Sequence, residues 1–459
     1  LTLSPHPDVE TPDRLDLTLT RRILSLTIPV GLTGQLDNLA GFADIFMVGQ
    51  LGPAAISAVG ISRQIIMVLG IMMIAVTTGT FAMVAQAIGA GSMERASSAA
   101  KQSFTLVSVL AIFLSAAGIF AAPYILPALS LKGDVVTLGA DYLRIFFAGL
   151  IFMTLNFSVQ TCLHGAGDTR TPLYISILIS AVKLIFSYLL IFGAWGFPEM
   201  GVAGAALGTV IGRVVGVAAG FWVLNSGRFA MRLLPETTYR FNSDLARRLL
   251  KIGIPSAMQG LFRNGSNLVY VKFIALTASS TAAVAAFSIG NQMERVLRRA
   301  SLSFGTSATA LVGQSLGAKQ PAQADQRGWT TLAIGVAAII ALGMPIAFFA
   351  REFMAIFTDA PEVIAIGIPY ILAIALAEPF MCAAIVSGGS LRGAGDTVPA
   401  LIYTLVSQWL IRLPAAYLLA FTLGYDVYGI WAALVIFSAL QGVLTVRKYA
   451  TGEWKLREI

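Results

Sequence analysis

Residues 104–126 read FTLVSVLAIFLSAAGIFAAPYIL and residues 331–350 read TLAIGVAAIIALGMPIAFFA, with no charged side chain in either. Apolar blocks of this kind, roughly 20 to 28 residues long, recur along the chain and match a hydrocarbon core of about 30 Å. Inside lipid a backbone must satisfy its own N–H and C=O groups, so such blocks cross as helices. Of 459 residues 57% are hydrophobic and only 12% charged, against about 25% charged in a soluble domain. The polar skin of a soluble enzyme is missing, and the chain is expected to be an all-α polytopic membrane protein.

Apolar blocks and their breakers predict twelve transmembrane helices, at 22–48, 54–86, 101–122, 135–163, 172–194, 200–224, 249–276, 281–314, 329–350, 362–390, 399–421 and 427–447. The second and eighth exceed one simple span and are expected to continue into helical ends on the cytoplasmic side. Basic residues favour alternate connections. Arg14, Arg21 and Arg22 precede the first helix; Arg95 and Lys101 follow the second; Arg170 follows the fourth. Arg228, Arg232, Arg240, Arg247, Arg248 and Lys251 follow the sixth. Lys319 and Arg327 follow the eighth, Arg392 the tenth, and Arg447, Lys448, Lys455 and Arg457 close the chain. The other connections hold only Lys132 and Arg351. Under the positive-inside rule both termini are cytoplasmic. The net charge of +8 thus reports topology, and no nucleic-acid partner is expected. The first twenty residues are polar with three prolines and lack the pattern of a cleaved secretory signal, so the first helix is expected to serve as an uncleaved insertion signal.

Cys162 and Cys382 are the only cysteines, and His6 and His164 the only histidines. Neither cysteine has metal-ligand spacing, and both read as small apolar packing residues. No metal, no resident cofactor and no histidine-based catalytic site is expected. HExxH, GxSxG and paired intramembrane aspartates on separate helices are not found, so the chain is not expected to be an enzyme.

HGAGDTR at 164–170 returns as RGAGDTV at 392–398, a shift of 228 positions. VAQAIGAG at 84–91 pairs with VGQSLGAK at 312–319, LTIPVG at 26–31 with IGIPSA at 252–257, and GVAGAALG at 201–208 with DVYGIWAA at 426–433. Four landmarks in one order define two halves. With an even number of helices in each, the halves are parallel repeats about an axis along the membrane normal. The expected layout is a cytoplasmic segment 1–21, an N-lobe 22–224, a cytoplasmic connection 225–248, a C-lobe 249–447 and a cytoplasmic tail 448–459. GAGDT is expected at the turn between the fourth and fifth helices of each half. Its glycines end one helix, and Asp168 or Asp396 with the following Thr satisfies N–H groups of the next. Pro172 and Pro399 suit a first helical turn. A phosphate-cradling loop is the alternative, but the Walker lysine and glycine spacing are absent.

LTIPVG, LAGFADIFMVGQLGPAAISAVG, VAQAIGAG, HGAGDTRTP, VGQSLGAK and SLRGAGDT together resemble the multidrug and toxic compound extrusion (MATE) transporters, nearer their DinF-like branch, over essentially the whole chain. The resemblance implies a V-shaped pair of six-helix lobes, a central cavity and export driven by H⁺ or Na⁺.

Ionisable groups inside membrane helices are functional candidates by default. Asp37 and Asp44 lie seven residues apart on the first helix and face nearly the same way. Asp44, in FADIFMVG, matches the family's embedded coupling-ion Asp, and Asp37 is a neighbouring polar candidate. Many members carry Asn and Asp in the fifth helix where this chain has Lys183 and Ser187. That departure weakens a sodium site, which wants several oxygens, and suggests a Lys183–Asp44 ion pair that protonation would break. Snorkelling is the alternative for Lys183. Thr209 matches a family Thr lining the same pocket. In the C-lobe Arg263 replaces a family Glu and Met381 a family Asp, with Glu378 one turn earlier and Glu294 at a family-typical acid. Arg263, Glu294, Glu378 and Arg412 are expected to form a buried charge network, structural or facing the cargo. Pro29 and Pro255 are candidate hinges in the first helix of each half.

The expected function is a proton-coupled antiporter exporting amphipathic organic compounds, with Asp44 as protonation switch. The alternatives are a flippase or exporter of a lipid-linked or anionic precursor, and a sodium-coupled drug exporter. A passive channel fits embedded charges in repeated halves less well. The expected partners are a small organic substrate and membrane lipid. A monomer in the cell (plasma or inner) membrane is expected.

Overall fold

The structure, a computed structural model, describes residues 17–129 and 131–457. His6 and Arg14, and most of the expected N-terminal segment, lie outside the described residues. No strand occurs among the described residues. The N-terminal half contains α1 (Leu17–Gly49), α2 (Pro53–Gly89), α3 (Met93–Ala128), α4 (Asp134–Ala148), α5 (Leu150–Gly165), α6 (Arg170–Phe192) and α7 (Val202–Ser226). The C-terminal half contains α8 (Ser243–Ala275), α9 (Ser280–Gly317), α10 (Pro321–Phe348), the short α11 (Ala350–Ala355), α12 (Pro361–Gly393), α13 (Val398–Leu405), α14 (Leu413–Tyr417) and α15 (Asp426–Ala450). Two π-helical segments, Val406–Arg412 and Leu418–Thr422, make α13 and α14 parts of one helix, Val398–Thr422.

Local chemistry sets several helix starts. Proline occupies the first turn of α2, α10, α12 and α13, where its missing N–H costs nothing. Ser92 accepts from the Arg95 N–H at the start of α3, and Asn242 Oδ1 accepts from the Asp244 and Leu245 N–H groups at the start of α8. Eight described helices are long and apolar enough to cross a membrane, or nine with the bent α4–α5 pair counted as one span. Three further helices of comparable length, α1, α8 and α9, complete a set of twelve. They carry the embedded charges Asp37 and Asp44, Arg263, and Glu294 to Arg299.

Three boundaries differ from expectation. The fourth span bends by 51° between α4 and α5 at Gly149, where a Cβ would lie 2.3 Å from Val210; close packing against α7 excludes a side chain there. α8 begins at Ser243, inside the expected connection. The preceding strap packs on α3: Lys101 donates to the Leu234 and Thr237 carbonyls at 2.7 and 2.8 Å, and Met231 and Leu233 enter the core of the N-lobe. Finally, α15 runs to Ala450, and the tail after it docks rather than hangs free. Trp454 is fully buried and stacks on Tyr449 at 5.0 Å.

The two GAGDT turns have one geometry. Gly167 and Gly395 take φ of 80° and 78°, a left-handed conformation that favours glycine. Asp168 N–H donates to Leu163 at 2.9 Å, and Asp396 N–H to Leu391 at 2.8 Å. The Thr169 hydroxyl donates to Ser25 of α1, and the Thr397 hydroxyl to Ile252 of α8. Asp168 also caps α6, accepting from Thr171 N–H at 3.0 Å and Thr171 Oγ1 at 2.5 Å. Asp396 does not cap in this way; its carboxylate meets Arg457 at 3.0 Å.

These turns clasp the halves together. Gln86 of α2 donates to the Gly393 carbonyl at 3.0 Å, and Gln314 of α9 donates to the Gly165 carbonyl at 3.0 Å. This reciprocal pattern is that of a two-fold interface. Around it a Cβ on Gly79, Gly89, Gly253 or Gly317 would meet opposing backbone at 2.1 Å or less. Farther along, Thr27 meets Ser307 at 2.9 Å, and Arg299 donates to the Gly34 carbonyl and Asn38 Oδ1, both at 2.8 Å. Past Asn38 and Arg299 no hydrogen bond joins the lobes among the described residues. The lobes therefore meet at the end bearing the basic connections and part toward the other, giving a V.

Candidate functional site

Five glycines in α7 recur every fourth residue: Gly204, Gly208, Gly212, Gly216 and Gly220. Such a stripe lets backbones approach closely in a membrane. A Cβ on Gly208 would lie 2.5 Å from Ser187 Oγ, and one on Gly212 would lie 3.0 Å from Lys183 Cβ. So α6 lies flush on α7, and the Lys183 chain is directed along that seam toward α1. Its ammonium stands 2.5 Å from Asp44 Oδ2. From α2, Arg63 Nη2 donates to the same oxygen at 3.2 Å, and Nη1 to the Gly41 carbonyl at 3.1 Å. Asp44 is 2% exposed, and one of its oxygens thus ties three helices. Its Oδ1 is buried without a hydrogen-bond partner among the described residues.

These groups border a cavity of about 210 Å³ that is also lined by Asp37, Tyr142, Ser180, Thr209 and Arg213. Asp37 is exposed and makes no ion pair among the described residues. Thr209 donates to the Ala205 carbonyl at 3.0 Å, so its oxygen still has room to accept. Arg213 donates to Asn156 Oδ1 at 3.4 Å, a neutral partner. Three cations therefore share a cavity with two carboxylates. Asp44, Asp37, Lys183 and Thr209 come together as a group. Ser187 does not join them: one turn beyond Lys183, it is fully buried against Gly208, away from the cavity lining. The sequence reading also overlooked Arg63 and Arg213. The signal is in the sequence, since each is an arginine inside an apolar helix.

The expected C-lobe network is corrected. Glu294 and Glu378 do approach each other, through Arg298, which pairs with Glu294 and lies 3.5 Å from Glu378. Tyr370 donates to Glu294 Oε2 at 3.2 Å. Arg412 is held separately. It donates to Asn267 at 2.8 Å and Gln408 at 3.0 Å, and its guanidinium lies 3.8 Å over Tyr270 and 4.6 Å over Phe437, a cation–π arrangement. The π-helical turn Val406–Arg412 sets Gln408 beneath it. Arg263 makes no hydrogen bond or ion pair among the described residues; Arg298, one turn beyond Glu294 on α9, takes the acids instead. Pro29 is buried inside α1, and its carbonyl accepts from Thr33 at 2.9 Å. Pro255 lies inside α8. Among the described residues no group of His, Cys, Asp and Glu could hold a metal ion.

The MatE family model matches residues 29–189 and 255–418, one match in each half. Among curated proteins the chain is 27% identical to a probable multidrug resistance protein NorM of Thermotoga maritima, over 96% of this chain and 94% of that protein. It is 29% identical to an FAD transporter of Shewanella oneidensis, over 91% of this chain and 94% of that protein. A solved outward-facing multidrug resistance MATE family transporter of the MOP superfamily superposes with a TM-score of 0.85 at 20% identity, covering 95% of this chain and 97% of that one. These relatives are transporters, not enzymes. The paired halves, the V-shaped lobes and the matched family model over most of the chain agree: this membrane protein belongs to the MatE (MATE) family of transporters.

Proposed function

We propose that the chain is a proton-coupled antiporter that exports amphipathic organic compounds across the cell membrane, with both termini and the clasped basic end in the cytoplasm. The observation that carries this reading is the Lys183 ammonium 2.5 Å from Asp44 Oδ2, with Arg63 on the same oxygen. A coupling ion must bind one state of the transporter better than the other. Here the seat a sodium ion would take on Asp44 is filled by a tethered ammonium. Sodium would also have to enter against Arg63, Lys183 and Arg213 in a medium of low dielectric. A proton needs only the bare Oδ1. Its arrival neutralises Asp44, leaves Lys183 and Arg63 facing each other without their counter-charge, and loosens the hold of α2 and α6 on α1. Pro29 then supplies the place where α1 bends. Reconstituted vesicles with pH and sodium gradients imposed separately test this. Export should follow the pH gradient and be unchanged when choline replaces sodium.

The excess of cations supports a second reading, in which the cargo is anionic. Arg213 and Arg263 have no carboxylate partner among the described residues, and the Shewanella relative is named as a transporter of FAD. A screen of cationic, neutral and anionic compounds separates the two. Anionic export would depend on Arg213 and Arg263 more than on Asp44.

A further inference from the structure

A second and larger cavity, about 760 Å³, opens at the clasped end of the molecule. It is lined by Arg95 at the start of α3, Arg248 and Lys251 of α8, Arg457 of the tail, and Gly395 and Thr397 of the second GAGDT turn. No acidic side chain lines it. Arg457 is engaged with Asp396, but the side chains of Arg95, Arg248 and Lys251 make no hydrogen bond or ion pair among the described residues. The Thr397 hydroxyl on the Ile252 carbonyl at 2.8 Å fixes the backbone of α8, which bears Arg248 and Lys251, to the turn, while the basic side chains themselves are exposed. Three positive charges without a carboxylate partner thus line one recess, and Arg95 belongs to the other lobe from the rest. Closing this end brings like charges together, a cost that an anion between them would reverse.

We propose that this cavity binds a phosphate group that bridges the two lobes and favours the state in which this end is closed. Phosphate suits it better than a carboxylate. A monoester carries close to two charges and three acceptor oxygens, which several arginines can share. A soluble phosphate ester offers that monoester, and the headgroup of an anionic lipid, which basic recesses at a membrane surface attract, offers a singly charged phosphodiester with two free oxygens. The inference does not depend on which ion drives transport.

The test uses the full chain in nanodiscs of phosphatidylcholine with or without phosphatidylglycerol, and in detergent with glycerol 3-phosphate. Thermal unfolding reports binding. Spin labels at Gln50→Cys and Ala278→Cys, one on each lobe at the open end, report the spread of the lobes. Either phosphate source should raise the midpoint and sharpen the label distance toward the open-V value. In the double variant Arg248→Gln/Lys251→Gln, affinity should fall by roughly tenfold or more, at about fivefold per charge removed. A control with the same charge loss on the strap, Arg228→Gln/Arg240→Gln, should respond as the wild type does. Without phosphate, the Arg248→Gln/Lys251→Gln protein should be at least as stable as the wild type, because repulsion is relieved. A response to phosphatidylglycerol alone assigns a lipid headgroup, and a response to glycerol 3-phosphate assigns a soluble ester. No response to either, an equal loss in the control, or a less stable double variant without phosphate would each overturn the proposal.

Discussion

Lys183 of α6 and Asp44 of α1 meet at 2.5 Å across a helix seam made possible by the glycines of α7. Their side chains are 12% and 3% exposed, so neither charge has water to replace the other. Removing one member of a buried pair costs about 3–5 kcal/mol, because the survivor is left uncompensated. Asp44→Asn should therefore lower stability by about 3 kcal/mol. Adding Lys183→Met should recover much of that loss while leaving gradient-driven transport absent. A thermal-unfolding double-mutant cycle, run beside vesicle transport, checks both outcomes.

The glycine stripe predicts a contrast between two substitutions. At Gly208 a side chain would meet Ser187 at 2.5 Å, whereas at Gly70 of α2 nothing lies within 4 Å. Gly208→Val should cost about 1–3 kcal/mol by overpacking and impair transport by moving Lys183. Gly70→Ala should be neutral or stabilising by up to about 1 kcal/mol. Equal behaviour of the two in unfolding and transport assays would show that α6–α7 contact does not position the pair.

Gln86 and Gln314 form the reciprocal clasp on the turns of the opposite halves. Gln86→Leu/Gln314→Leu leaves both carbonyls without that donor. Distances between spin labels on the two lobes at the open end should then broaden toward shorter values, as the closed basic end loses its advantage. An unchanged distribution would place the energy of closure elsewhere.

The tail supplies a pH dependence. Burial raises the Asp396 carboxyl above its usual range, with Arg457 pulling it back. A carboxyl that binds its proton more tightly folded than unfolded adds stability when protonated. That contribution is complete below the unfolded value of about 3.9 and is lost as pH rises through the higher folded value. Asp396→Asn should raise the unfolding midpoint at neutral pH and flatten the gain on acidification. Glu453 works in the opposite sense. The hydrogen bond from Lys448 lowers its carboxyl, so its contribution is present above the unfolded value and is lost as pH falls through the lowered one. Midpoints of the two single variants, followed from neutral pH down to about two units below the ordinary carboxylate values of roughly 4, separate these effects.

Much of this architecture was legible in the sequence because lipid leaves few options. Apolar length marked the spans, and the shift of 228 positions marked the halves, whose Gly167 and Gly395 take the same left-handed conformation. Lys183 opposite Asp44 could be anticipated because each is costly in lipid without a partner. What stayed hidden depends on helix rotation. Arg63 reaches Asp44 only because α2 turns that face inward, and Arg298 rather than Arg263 takes the acids because it follows Glu294 by one turn on α9. Ser187 has the helical spacing of a pocket residue, yet α7 covers it. The bend at Gly149 and the π-helical turn under Arg412 are imposed by packing and leave no mark in apolar length.

The central claim is that Asp44 takes up the proton whose passage drives export. The most direct measurement compares wild type and Asp44→Asn in reconstituted vesicles under an imposed pH gradient, following movement of a fluorescent organic cation. Gradient-driven transport in the wild type and none above leak in the variant is the predicted result; transport by the variant at the wild-type rate would contradict it.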